Sequence, residues 1–99
     1  MAKIKVMLCE PQAKPRIDEI DGDRDAVAEL LTGTFCLLDL GDGLGVVFDG
    51  DGNKKVKDLN RVIDGAPMFG LCIFCRHDGE GNLLSLNPAE WAEMEKLLA

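Results

Sequence analysis

The chain has 99 residues, a formal net charge of -7 at pH 7, and 46% hydrophobic and 29% charged residues. We expect one domain, because a chain of this length hides roughly 60 to 65% of its unfolded surface and so builds one modest core. The acidic charge repels phosphate backbones, which excludes nucleic-acid binding of the usual electrostatic kind. No apolar run approaches the roughly 20 residues of a membrane helix and no signal-peptide pattern is found, so we expect a cytoplasmic protein without membrane contact.

The first two predicted elements are strands. Residues 3–9 alternate between apolar and charged side chains, which is the period of a half-buried strand. Residues 15–20 can form a second strand that is short and more polar. Its polarity and its proline favour a position at the edge of a sheet.

A helix is predicted next, over about residues 25–31. Asp21 or Asp23 can cap its N-terminus, where acidic side chains also favour the helix dipole. The helix carries an apolar stripe, and a glycine that follows it, Gly33, is predicted to end it. The stripe consists of Val27, Leu30 and Leu31.

A hairpin is predicted after the helix, with strands over residues 34–40 and 44–48. The Gly-Asp-Gly turn between them tolerates the positive φ angles of a tight turn. A second turn is predicted at residues 49–53. Residues 54–59 are predicted as either another strand or an ordered loop.

The longest apolar segment, residues 68–76, is predicted to be a strand with two apolar faces. One face carries Phe69, Leu71, Ile73 and Cys75, and the other carries Met68, Cys72 and Phe74. Such a strand is either central in a sheet covered on both sides or part of a subunit interface. Because only two short helices are predicted to cover the sheet, we expect a homo-oligomer, with a dimer as the simplest form.

The remaining residues are predicted to form a turn at 78–82, a strand at 83–86 and a C-terminal helix. Asn87, Pro88 and Glu90 give this helix a cap, a first-turn proline and a capping-box glutamate. The element order describes an α+β domain with a mainly antiparallel sheet of about five to six strands and two short helices.

The four cysteines lie in apolar segments, and we interpret them as reduced core residues. They are Cys9, Cys36, Cys72 and Cys75. The spacing of the last two matches redox and zinc motifs, but residues three apart on a strand point to opposite faces. Cys75 and His77 share a face and could form a nucleophile and base, or His77 could simply be exposed at the strand end.

No metal site, cofactor or catalytic set is predicted. The Asp-Gly-Asp-Gly-Asn segment from Asp49 resembles the start of a calcium loop, but Lys54 and Asn60 occupy the positions that require glycine and glutamate. We therefore predict a solvated turn there. One histidine, one serine and no tyrosine leave few general acids or bases, so we do not expect an enzyme.

Several short motifs together resemble one protein family, and they span nearly the whole chain. They are Glu10-Pro11, Ile20-Asp21-Gly22, Leu59-Asn60-Arg61, Asp64-Gly65, Phe69-Gly70, Asp78-Gly79-Glu80-Gly81 and Ser85-Leu86. In this order they resemble the family called domain of unknown function 3846. The resemblance implies a small accessory protein of bacteriophages, plasmids or conjugative elements, with no known activity.

A basic island in the acidic chain suggests a binding function. It consists of Lys54, Lys55, Lys57 and Arg61. Arg61 could neutralise a phosphate, Asn60 could bind a sugar or base, and Phe69 or Phe74 could stack on it. The first hypothesis is thus an anti-defence protein that sequesters a small phosphorylated, nucleotide-like host signal in a cleft of a homo-oligomer.

The alternative is a protein-interaction module that inhibits a host protein. Its binding surface would be an exposed sheet edge or the acidic face around the first helix. The acidic side chains that suggest such a face are Asp18, Glu19, Asp21, Asp23, Asp25 and Glu29.

Overall fold

The structure, a computed structural model, describes residues 3–11, 13–51, 59–63, 65–80 and 82–98. Within these residues the elements are β1 (Lys3–Cys9), β2 (Arg16–Asp21), α1 (Arg24–Leu31), β3 (Phe35–Gly41), β4 (Leu44–Asp49), β5 (Leu59–Ile63), β6 (Ala66–Phe69), β7 (Cys72–His77), β8 (Leu83–Leu84) and α2 (Pro88–Leu98). Neither helix has the length and apolar composition needed to cross a membrane.

The strands form one large and one small antiparallel sheet. The large sheet has the order β2-β1-β7-β4-β3, with β8 also paired to β7. The small sheet is the hairpin of β5 and β6. This architecture confirms the predicted α+β fold with a mainly antiparallel sheet, and it confirms β2 as an edge strand.

Apolar side chains cover the large sheet on both faces. On the first face, Val27 and Leu31 of α1 pack on side chains from the sheet that include Val6 and Ile73. On the second face, Met94 of α2 and residues of the β5–β6 hairpin pack on a separate cluster. That cluster contains Met7, Cys9, Val46, Met68, Cys72, Phe74 and Leu86 among its buried members.

The predicted single strand at residues 68–76 is wrong in one respect, because the chain bends at Gly70. Gly70 has a φ of 75°, a conformation that glycine adopts readily and that ends β6 before β7 begins. The two faces of β7 were predicted correctly: Ile73 and Cys75 lie in the first cluster, and Phe74 lies in the second. Since β7 is central and covered within one copy, its apolar faces no longer require an oligomer.

The first helix is capped by Asp23, whose carboxylate accepts the Asp25 N–H at 3.2 Å. The predicted end at Gly33 is wrong, because Thr32 adopts the left-handed conformation with a φ of 51°. Gly33 has another role: a Cβ there would lie 2.2 Å from the Asp49 carboxylate.

Asp49 is buried rather than solvated, which corrects the prediction for this turn. Its side chain is 3% exposed and accepts the N–H groups of Thr34 at 2.9 Å and Asp51 at 3.0 Å. The carboxylate therefore ties the end of β4 to the start of β3. The rest of the predicted turn, at residues 52 and 53, lies outside the described residues.

Two other local predictions are confirmed. The β3–β4 turn has positive φ angles at Asp42 and Gly43, 55° and 78° respectively. The capping box of α2 is formed in both directions at 2.9 Å, from the Asn87 N–H to the Glu90 carboxylate and from the Glu90 N–H to the Asn87 side chain.

Candidate functional site

The β5–β6 hairpin carries most of the residues predicted to bind a ligand. Asn60 and Arg61 lie on β5, and Phe69 ends β6, where it is paired with Leu59. The hairpin itself was not predicted. Of the segment predicted as a strand or loop, residues 54–58 lie outside the described residues, as do Lys54, Lys55 and Lys57 of the basic island.

A β-bulge places Asn60 outside the regular backbone pairing of the hairpin. The pairing shifts between Leu59, which faces Phe69, and Arg61, which faces Met68. The extra residue of a bulge is left out of the regular pairing, so its side chain can be directed elsewhere. Here the Asn60 side chain is directed to the large sheet.

The Asn60 amide joins the hairpin to the large sheet. Its Nδ2 donates to the carbonyl oxygens of Cys9 at 2.7 Å and Gly70 at 2.8 Å. Its Oδ1 lies 3.7 Å from the Cys9 Sγ, which donates to it. Both amide hydrogens are thus engaged by backbone carbonyls, and a ligand would have to displace one of these bonds to reach Asn60.

The predicted stacking residues lie in two different environments. Phe74 is 2% exposed and packs inside the second-face cluster. Phe69 is half-buried on the hairpin. Asn60, Arg61 and Phe69 are therefore brought onto one element, the hairpin, whereas Phe74 lies in the core of the sheet.

The hairpin has an outward face that is apolar. Leu59 pairs with Phe69 and Val62 with Pro67, and cross-strand partners share one face. Leu59 is 51% exposed and Val62 is 59% exposed, whereas Met68 on the opposite side is fully buried. We call Leu59, Val62, Pro67 and Phe69 the hairpin face. No sequence pattern indicated it, because the bulge breaks the period of β5.

His77 lies at one corner of the large sheet and is held on both ring nitrogens. Its Nε2 lies 3.0 Å from the Asp39 carboxylate and 3.2 Å from the Leu44 carbonyl, and its Nδ1 accepts the Gly79 N–H at 3.2 Å. Gly45 makes room for the ring, because a Cβ there would lie 2.9 Å from His77 Cδ2. The side chain is 9% exposed, so the alternative of an exposed strand-end histidine is wrong.

The cysteine–histidine pair has little nucleophilic capacity in this arrangement. Burial raises the pKa of Cys75 from its ordinary 9.0 to about 12, so the thiol stays protonated at neutral pH. The neutral Nε2–H tautomer of His77 satisfies all its observed hydrogen bonds, which leaves neither nitrogen free as a base. Hydrogen bonds from the Gly41 N–H and then from His77 lower the pKa of Asp39.

The raised pKa predicts a slow alkylation of Cys75. In the folded protein the iodoacetamide rate at Cys75 should keep rising about tenfold per pH unit through pH 10, because the thiolate remains the minor form. In guanidinium chloride the rate should level off near pH 9. Peptide mass spectrometry measures both profiles, and a folded-state profile that levels off at or below pH 9 would contradict the burial argument.

Metal ligation finds no support in the described part of the chain, where no group of three or more His, Cys, Asp or Glu side chains could hold an ion. Cys72 and Cys75 point into the clusters on opposite faces of the sheet, as their spacing predicts.

Comparison with known proteins identifies the chain only at the level of its family. No curated protein and no solved structure matches it. One family model matches residues 4–99, essentially the whole chain, and its description is "Domain of unknown function (DUF3846)". The chain therefore belongs to the DUF3846 family.

Proposed function

We propose that the protein is a non-enzymatic binding protein that holds another protein against its hairpin face. In the context that the family resemblance implies, it is a mobile-element accessory protein, and its partner is a host protein whose defence or regulatory activity it blunts. The observation that carries the proposal is the exposed apolar surface of Leu59 and Val62 on an anchored hairpin.

An apolar surface of this kind is characteristic of a protein contact. Large apolar side chains that are exposed side by side mark interaction surfaces more often than single exposed ones do. The outer side of a two-stranded sheet suits a protein surface, whereas a small-molecule site is concave and has convergent polar groups. The Asn60 amide on the same hairpin is already bonded to the backbone carbonyls of Cys9 and Gly70.

The hairpin is also held rigidly, which favours binding. Ile63 and Met68 pack into the second-face cluster, and the Asn60 side chain bonds to the Cys9 carbonyl of β1 and to the Gly70 carbonyl that follows β6. A surface that is already in its bound conformation loses less conformational entropy when a partner docks. The hairpin face thus has both the composition and the preorganisation of a docking surface.

Sequestration of a small phosphorylated ligand is the second candidate. It is favoured by one observation, the placement of Asn60, Arg61 and Phe69 on the same hairpin. It requires Asn60 to exchange a backbone bond for a ligand bond.

The test compares Val62→Glu with a matched control, Leu30→Glu. Leu30 is 46% exposed on α1, away from the hairpin, so both variants add one charge at an exposed apolar position. A host protein captured from bacterial lysate by the wild type is purified and titrated calorimetrically with each folded variant. We expect Val62→Glu to weaken binding at least about tenfold, as for a contact in the centre of an interface, and Leu30→Glu to bind like the wild type.

Two results would overturn the proposal. One is equal affinity of the two variants for the purified partner. The other is a protein that captures no host protein and retains a stoichiometric nucleotide-sized mass in native mass spectrometry, which would favour sequestration.

A further inference from the structure

The two edges of the large sheet differ sharply in composition. The β2 edge, Arg16–Asp21, consists of four charged residues and two isoleucines. The β3 edge, Phe35–Gly41, has Asp39 as its single charged residue and no lysine or proline. Among the described residues β3 pairs only with β4, so its other side is an open edge without the features that normally prevent edge pairing.

Backbone hydrogen bonds show which groups the open edge presents. The Thr34 carbonyl accepts the Gly50 N–H at 3.1 Å, and bonded residues alternate along an antiparallel pair. The backbone N–H and C=O groups of Cys36 and Leu38 are therefore hydrogen-bonded to β4. Phe35 and Leu37 direct their N–H and C=O groups to the open side.

The pairing of β4 with β7 leads to the same assignment of the β3 backbone groups. The His77 N–H donates to the Gly43 carbonyl at 2.9 Å, which makes the odd-numbered residues of β4 bond to β7. The even-numbered residues of β4, Val46 and Phe48, then bond to β3. They face Leu38 and Cys36 in the observed register.

We propose that two copies of the chain pair antiparallel through β3, with Cys36 opposite its counterpart, and so form a dimer with one continuous sheet. In this register the outward backbone N–H and C=O groups of Phe35 form hydrogen bonds with those of Leu37 in the second copy. These two side chains lie on the first face, and the cysteines meet on the second face. The strand is thus complementary to itself in both its backbone and its side chains.

In this register the one charged residue of β3 does not meet its own counterpart. Each Asp39 lies opposite Gly33 of the second copy, so the two Asp39 carboxylates are about 20 Å apart along the strands. At the β2 edge, by contrast, an antiparallel self-pairing centred on the strand puts Asp18 or Glu19 opposite an acidic residue, which is destabilising. Self-pairing through β3 is therefore favoured over self-pairing through β2.

The pairing would complete both apolar clusters. Leu37 packs at the margin of the first-face cluster and Leu38 at the margin of the second, and both side chains are half-buried. A second β3 strand covers their exposed sides on both faces at once. The pairing uses residues of β3 and none of the hairpin face, so this inference does not depend on the proposed function.

The experiment measures the association constant by sedimentation equilibrium for the wild type, Leu38→Lys and the control Leu30→Lys. We expect a wild-type dimer whose association constant falls at least about tenfold in Leu38→Lys, since a lysine at the edge blocks strand pairing. Leu30→Lys should dimerise like the wild type. Raising the salt concentration should strengthen the dimer, because each copy carries a net charge of -7 that salt screens.

A second measurement tests the β3 pairing even if Leu38→Lys fails to fold. Copper–phenanthroline oxidation of dilute wild-type protein should form a disulfide between the two Cys36 thiols, with two electrons passing to the copper oxidant and two protons released. A covalent dimer should appear on a non-reducing gel and be absent for Cys36→Ser. A monomer at the highest soluble concentration, or a dimer that gives no Cys36 disulfide, would overturn the proposal.

Discussion

Replacing Phe74 by alanine is expected to lower the free energy of unfolding by about 3–5 kcal/mol, the usual cost of removing a buried phenylalanine ring. Phe74 is 2% exposed on β7, the central strand, and it pairs with Met7 on one side and Val46 on the other. The ring occupies the second-face cluster, where its removal leaves a cavity that the neighbouring strands cannot close. Urea denaturation followed by circular dichroism measures the change.

The control for this prediction is Ile17→Ala on the edge strand β2. Ile17 is exposed, so its truncation should cost less than about 1 kcal/mol. Wild-type stability in Phe74→Ala, together with a loss of ligand binding, would show that the ring serves a ligand and would contradict its role in the core.

Replacing Asn60 by alanine is expected to lower the free energy of unfolding by about 2–3 kcal/mol. The substitution removes the two hydrogen bonds that the Asn60 amide donates to the carbonyl oxygens of Cys9 and Gly70 in a part-buried position, and each lost bond costs about 1–1.5 kcal/mol. The effect should be concentrated in the hairpin, because these bonds join it to the large sheet. Hydrogen exchange should therefore accelerate in β5 and β6 more than in β7.

Two further substitutions, a second variant at Asn60 and a control, test the Asn60 prediction. Asn60→Asp keeps the size of the side chain but sets a carboxylate against two carbonyl oxygens, so it should be at least as destabilising as Asn60→Ala. Asn82→Ala removes an asparagine that bonds to Asp78 in an exposed turn, and it should cost less than about 1 kcal/mol. Equal stability and equal exchange in Asn60→Ala and wild type would contradict the anchoring role.

Local signals explain the parts of the fold that could be predicted from the sequence. The alternation of residues 3–9, the Asp-Gly turn at Asp42 and the Asn87–Glu90 capping box each involve residues close in sequence, so their chemistry is readable without the fold. The end of α1 is an exception. Thr32 takes the left-handed position because Gly33 is needed where the backbone passes against Asp49, 16 residues further on.

The candidate site depended on contacts that the sequence does not reveal. The apolar segment continues without a break through Gly70, so the bend that separates β6 from β7 has no periodic signal. The bulge at Asn60 and its bonds to Cys9, 51 residues away, are tertiary features. Asn60 and Arg61 belong to a motif of the family resemblance and Phe69 was predicted to stack on a ligand, but their common position on one hairpin emerged only from the fold.

Hydrogen exchange of the purified host-protein complex tests the hairpin face most directly as the binding surface. If the hairpin face binds the partner, exchange slows on binding in peptides covering residues 59–63 and 66–69, and this protection is lost with Val62→Glu and kept with Leu30→Glu. Unchanged exchange in the hairpin, with protection at the β2 edge or around α1 instead, would contradict binding through the hairpin face and assign the binding surface to the acidic side of the molecule.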